Sequence, residues 1–105
     1  MITEDSAQLL VFIYTKSITN SKEITEYSNW DLERVRKAVK YLEEKYLIEE
    51  TNTRVDGNIY SIKCSYLGID EIELNKDPKN PEVVKIYNFT INLNVDSIFK
   101  VSLIG

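Results

Sequence analysis

Histidine is absent from the 105 residues. Its absence removes the commonest general base and the commonest metal ligand together. Cysteine occurs once, as Cys64, which excludes an intrachain disulfide and a multi-cysteine zinc site and fits a reducing compartment. With only three glycines, the chain holds no GxSxG, Walker A or GxGxxG pattern, and without histidine it has no HExxH. The carboxylates fall mostly on predicted helix surfaces, where a solvated face is the ordinary reading. No nucleophile–base pair and no ligand set can be assembled, so the expectation is a protein that is not an enzyme and uses neither cofactor nor metal. The N-terminal apolar run, Leu9 to Tyr14, is too short to span a bilayer, and acids precede it where a signal peptide carries positive charge. A cytoplasmic protein without a membrane segment is expected.

What is present is one domain's worth of chain, able to bury roughly two-thirds of its unfolded surface. The chain has 13 Lys+Arg against 17 Asp+Glu, a net charge of −4 and a pI near 4.8. Against that acidic total, RVRKAVKYLEEKYLIEE places Arg34, Arg36, Lys37 and Lys40 in its first seven positions with no acid between them.

Three helices are predicted in the first half. Residues 5–16 offer Leu9, Leu10, Ile13 and Tyr14 as an apolar stripe, with Ser6 or Asp5 as cap. Residues 21–28 follow Asn20, and Glu23 stands where it can reach back to it as in a capping box. The third helix has Asp31 as N-cap, with Trp30 and Val35 at the spacing of a hydrophobic staple. Its inner stripe is Val35, Ala38, Val39, Leu42 and Tyr46. The cations lie mainly outside that stripe, on the solvent side.

LIEETNTRV and NIYSIKCS flank Asp56-Gly57-Asn58, a strong hairpin-turn signal. Tyr60, Ile62 and Cys64 alternate on one strand face, which makes Cys64 a core filler before a reactive thiol. Residues 65–73 read as a brief fourth helix capped by Ser65. Asn75 to Pro81, with two prolines, reads as a polar linker. Beyond it Phe89, Ile91, Leu93 and Val95 alternate with Asn88, Thr90, Asn92 and Asn94, a half-buried strand. The closing DSIFKVSLIG is open between a second strand and a short helix capped by Asp96.

Helix, helix, helix, hairpin, short helix is the order of a winged helix-turn-helix. SNWDLERVRKAVKYLEEKYLIEE resembles the core of bacterial and archaeal winged-helix transcriptional regulators, in which the recognition helix runs into an LxxLeekGLIe-like segment. CSYLGIDEIE is similar to the LTxxGxexi segment after the wing, with Ser65 and Gly68 in the matching places. The resemblance covers roughly residues 6 to 74. It implies an α+β fold: a winged helix-turn-helix domain over residues 1–74, followed by a linker (75–81) and a strand-containing extension (82–105). Tyr46 stands where the family usually has a helix-ending glycine. A left-handed tyrosine there costs about 1–2 kcal/mol, so the helix is expected to end differently, about a residue later.

The resemblance implies a DNA-binding transcriptional regulator whose third helix enters the major groove while the wing follows the backbone. Leu32, Glu33, Arg34 and Lys37 would face base edges or their neighbours, with Arg34 carrying the most weight. Arg36 and Lys40 would approach phosphates, and Arg54 would be the wing's phosphate contact. A forked arginine suits guanine, and Glu33 suits the amino group of cytosine. The plainer reading is a solvated helix face with Glu33 and Lys37 as an i,i+4 pair. A rival function is a winged-helix protein-interaction module that does not use DNA.

A lone amphipathic strand needs a partner. It can pair with the closing segment and fold back on the first helix, or pair with its own copy. The second option gives a homodimer held by Phe89, Ile91, Leu93 and Val95, and this is the preferred expectation.

Overall fold

The computed structural model describes residues 3–55 and 59–99, and the side chains of residues 52–60 fall outside that description. It is an α+β fold of four helices and two small antiparallel sheets. In chain order the elements are α1 (Glu4–Lys16), α2 (Ser21–Ser28), α3 (Leu32–Glu44), β1 (Ile48–Val55), β2 (Ile59–Cys64), α4 (Tyr66–Leu74), β3 (Lys76–Asp77), β4 (Asn80–Ile86) and β5 (Phe89–Asn92).

Each helix starts on a side-chain cap that takes up an otherwise unpaired amide. Asn20 accepts from the Glu23 amide at 2.9 Å, Asp31 from Arg34 at 2.8 Å, and Ser65 from Gly68 at 3.2 Å. These three caps stand where the sequence put them. For α1 the cap is Thr3, accepting from Ser6 at 3.2 Å, and neither Ser6 nor Asp5. Glu23 does not close the capping box either. Its carboxylate takes the Thr19 hydroxyl and pairs with Lys16 at 3.1 Å.

α1 is the centre of the molecule. Its residues from Ser6 to Ile13 are all buried, where one apolar stripe was expected. A helix that is apolar all round packs on every side, and α1 meets α3, β2, α4 and β5. Trp30 and Val35 are both buried, as the staple requires, and Val35, Ala38 and Leu42 are the buried inner face of α3. Tyr46 is not part of that face: it lies past the helix end and is 74% exposed.

The end of α3 departs from expectation in a second way. Tyr46 does adopt positive φ, at 61°. The Leu47 amide reaches the Leu42 carbonyl and the Tyr46 amide reaches Glu43, both at 3.0 Å. These two bonds form a Schellman motif, with a tyrosine where glycine is strain-free. Its phenol contributes little packing, so Tyr46→Gly should stabilise the protein by about 0.5–1 kcal/mol. Urea unfolding checks this: the midpoint should rise by a few tenths molar, and a fall would show that the phenol contributes more than its backbone costs.

β1 and β2 pair antiparallel, Ile48 with Cys64 and Val55 with Ile59. The expected turn Asp56-Gly57-Asn58 lies outside the described residues. An unforeseen third segment joins this sheet: Thr19 exchanges both backbone bonds with Ile62, at 2.9 and 2.7 Å.

Residues 75–81 are not a bare linker. They carry β3, a Pro78-Lys79 turn and the start of β4. Asp77 closes that turn by accepting from the Lys79 amide at 2.9 Å. Sheet order is β3-β4-β5, with Val84 opposite Ile91. Val84, Ile86, Ile91 and Ile98 join the same core as α1. Residues 93–99 run on in bends and turns, so the period-2 pattern outlasts the strand that was read from it, and the rest of the closing segment, left open between strand and helix, lies outside the described residues. The buried Gln8 amide donates to the Ile98 carbonyl at 3.3 Å. Phe99 packs against Phe12 and, edge-on, against Trp30, with both ring centroids 5.1 Å away.

Candidate nucleic-acid interface

The Asp31 cap and the buried inner face of α3 fix which side chains look outward. Leu32, Glu33, Arg34, Arg36, Lys37 and Lys40 are all exposed, Leu32 by 47%. At about 100° per residue, Glu33, Arg36, Lys37 and Lys40 share one sector of the helix, and Arg34 lies about 60° beyond it. The structure therefore brings four of the expected contact residues together on one outward strip.

Arg34 is set apart by chemistry as well as by angle. Its Nε donates to Asp5 Oδ2 at 2.7 Å and its Nη2 to Asp5 Oδ1 at 2.9 Å. The guanidinium carbon also sits 4.3 Å from the centre of the Trp30 ring. The hydrogen bond to Asp5 raises the guanidinium pKa further above its usual value. A fork filled by one carboxylate must release it before it can grip a guanine. In this conformation Arg34 fastens the start of α1 to the start of α3. Asp5 is the functional neighbour that sequence reasoning missed, because no local pattern signals a partner 29 residues away.

Arg36, Lys37 and Lys40 differ from five other cations of the chain. Lys16, Arg34, Lys63, Lys76 and Lys85 all have carboxylate partners within 4.0 Å. Among the described residues, none stands within that distance of Arg36, Lys37 or Lys40, and the anticipated Glu33–Lys37 pair does not form. The charge layout does not serve the helix itself. A helix dipole favours acids at its start and bases at its end. Apart from Glu33, α3 does the reverse: Arg34 lies in its first turn and Glu43 and Glu44 in its last. Glu43 has a raised pKa, through burial first and the charge of Glu50 second.

The backbone of Arg54 pairs with Tyr60 in the β1–β2 hairpin, and its side chain lies outside the described residues. In the extension, Ile91 is buried while Phe89, Leu93 and Val95 are half-buried against the common core. β5 takes its backbone partner from β4 of the same chain and is an edge strand among the described residues. The apolar face that called for a second subunit is thus largely covered within one chain.

Cys64 is buried, its sulfur 3.9 Å from the Leu10 carbonyl, and burial pushes the thiol up to about 12. It is a core filler, as its alternation on β2 suggested. Among the described residues no three metal-ligating side chains cluster, and no helix is long and apolar enough to cross a membrane. No protein-family model, curated protein or solved structure matches this chain.

Proposed function

We propose that this protein is a DNA-binding transcriptional regulator of winged helix-turn-helix type, acting in the cytoplasm, with α3 as recognition helix and the β1–β2 hairpin as wing. The observation that carries the reading is the outward strip of Arg36, Lys37 and Lys40, three exposed cations with no carboxylate partner among the described residues. Unneutralised cations on one helix face suit a polyanion, since each phosphate they meet releases a condensed counterion. The element order supports the fold assignment, as does the Thr19–Ile62 bridge that gives the hairpin a third segment.

In this reading Arg36 and Lys40 approach phosphates, while Leu32, Glu33 and Lys37 face base edges. Arg34 serves as a brace, and its exchange of Asp5 for a base would be a step in recognition. The sequence total of −4 limits non-specific adhesion. Two copies would set their recognition helices on half-sites about 34–36 Å apart. The edge of β5, which has no second strand partner among the described residues, is where a second copy can pair.

The test is fluorescence anisotropy of a random duplex of about 25 base pairs, titrated at about 50 and 200 mM salt. Binding should weaken with salt, and Lys40→Ala should lower the log–log salt slope by about one. No binding at the lower salt by folded protein would overturn the proposal. The alternative is a protein-interaction module that does not bind DNA. It is favoured by the net negative charge and by the outward face of α4.

A further inference from the structure

Five of the large apolar side chains that this fold leaves in solvent among the described residues, Ile69 among them, lie on α4 or against its cap. Tyr66 is 87% exposed, Leu74 82% and Leu67 56%. Tyr46 adjoins them, because its carbonyl accepts the Ser65 hydroxyl at the α4 N-cap. α4 buries only Gly68 and Ile72. On its outer side Tyr66, Asp70 and Leu74 follow at i, i+4 and i+8, with Leu67 beside Leu74 one turn-pair earlier. Exposed apolar residues scattered singly need no explanation, but a row along one helix face marks an interaction surface.

The charge around that row selects its occupant. α4 carries Asp70, Glu71 and Glu73 and no cation. Glu73 is occupied by the Tyr14 hydroxyl and by Lys76 at 3.1 Å. Asp70 and Glu71 have no such partner among the described residues. A second copy docked α4 to α4 about a two-fold axis would set these acids against themselves. A nucleic acid or an anionic membrane meets the same repulsion. A cationic segment with apolar side chains on one face complements both the charge and the leucines.

We propose that the outer face of α4, built on Tyr66, Leu67 and Leu74 around Asp70, docks a basic amphipathic helix of a partner protein. This inference does not rest on DNA binding by α3, and its test contains no DNA.

The probe is a fluorescein-labelled peptide of about 18 residues, built of leucine and lysine so that the leucines share one helical face. Two controls accompany it: the same composition scrambled, and a version with glutamate for lysine. The amphipathic cationic peptide should bind at least about tenfold more tightly than either control. The Leu67→Asp/Leu74→Asp variant should weaken that binding by at least about tenfold. Both positions are exposed, so the variant should fold with an unchanged thermal midpoint. It is also more acidic than the parent, so weaker binding to a cationic peptide can only mean lost apolar contact. Equal binding of the scrambled peptide would reduce the interaction to general charge attraction and overturn the proposal, as would unchanged binding by the variant. Sedimentation of the protein alone should show no association through this face. A dimer that disappears in the variant would assign α4 to a second copy instead, and would equally overturn it.

Discussion

Gly68→Ala should lower the stability of the protein by about 3 kcal/mol, at the upper end of what overpacking costs. A β-carbon at Gly68 would lie 2.1 Å from the Leu47 carbonyl oxygen and 3.1 Å from its carbon. These are backbone atoms, and that oxygen already accepts the Ser65 amide at 3.0 Å. Retreat of the carbonyl would strain this bond and the Schellman turn next to it. Retreat of α4 would uncover Ile72, which is fully buried. Neither escape is cheap, because the first turn of α4 sits directly on the α3–β1 junction. Urea denaturation measures the effect. With a slope of about 2 kcal/mol per molar, the midpoint should fall by about 1.5 M. A loss below about 0.5 kcal/mol would show that the junction can open at little cost.

Arg36→Glu/Lys37→Glu should weaken duplex binding at about 50 mM salt by about a hundredfold or more. Each substitution moves the charge by two, so the net charge goes from −4 to −8. More important, two of the three α3 cations that have no carboxylate partner among the described residues become repulsive toward phosphate. Both side chains are exposed, so folding stability should change by less than about 0.5 kcal/mol. A glutamate at position 36 would face Lys40 at i,i+4, offsetting the repulsion between Glu33 and a glutamate at position 37. Anisotropy reads the affinity, and a circular-dichroism melt shows that the fold is intact. Unchanged affinity in a folded variant would move the DNA surface off α3.

The helices were legible because their signals are local. Asn20, Asp31 and Ser65 each precede an apolar repeat, and each caps the helix that was read from it. Less was legible where a residue's role is decided from far away. β4 buries only Val84 and Ile86, too few to stand out from a stretch that holds Pro78 and Pro81. The Asp77–Lys79 turn therefore passed for a linker. Past Asn92 the alternation continues in the side chains but not in the backbone. Asn92 and Asn94 accept from amides two residues on, at 2.8 and 3.0 Å, and such local bonds compete with a strand ladder. Of the candidate interface, the outward strip on α3 followed from periodicity alone. The Asp5–Arg34 clasp did not, since it exists only once α1 and α3 are packed.

The all-round burial of α1 has a consequence for how the chain leaves the ribosome. α1 is made well before part of its cover: Gln8 bonds to Ile98, 90 positions later, and Phe12 packs against Phe99. At about 5–20 residues per second the two are made roughly 5–20 s apart. During that interval Phe12 and its neighbours lack the part of their cover that Ile98 and Phe99 supply. The nascent protein presents a sticky helix that the exit tunnel, a chaperone or transient collapse must shield. Native packing of α1 therefore waits on contacts of long sequence separation.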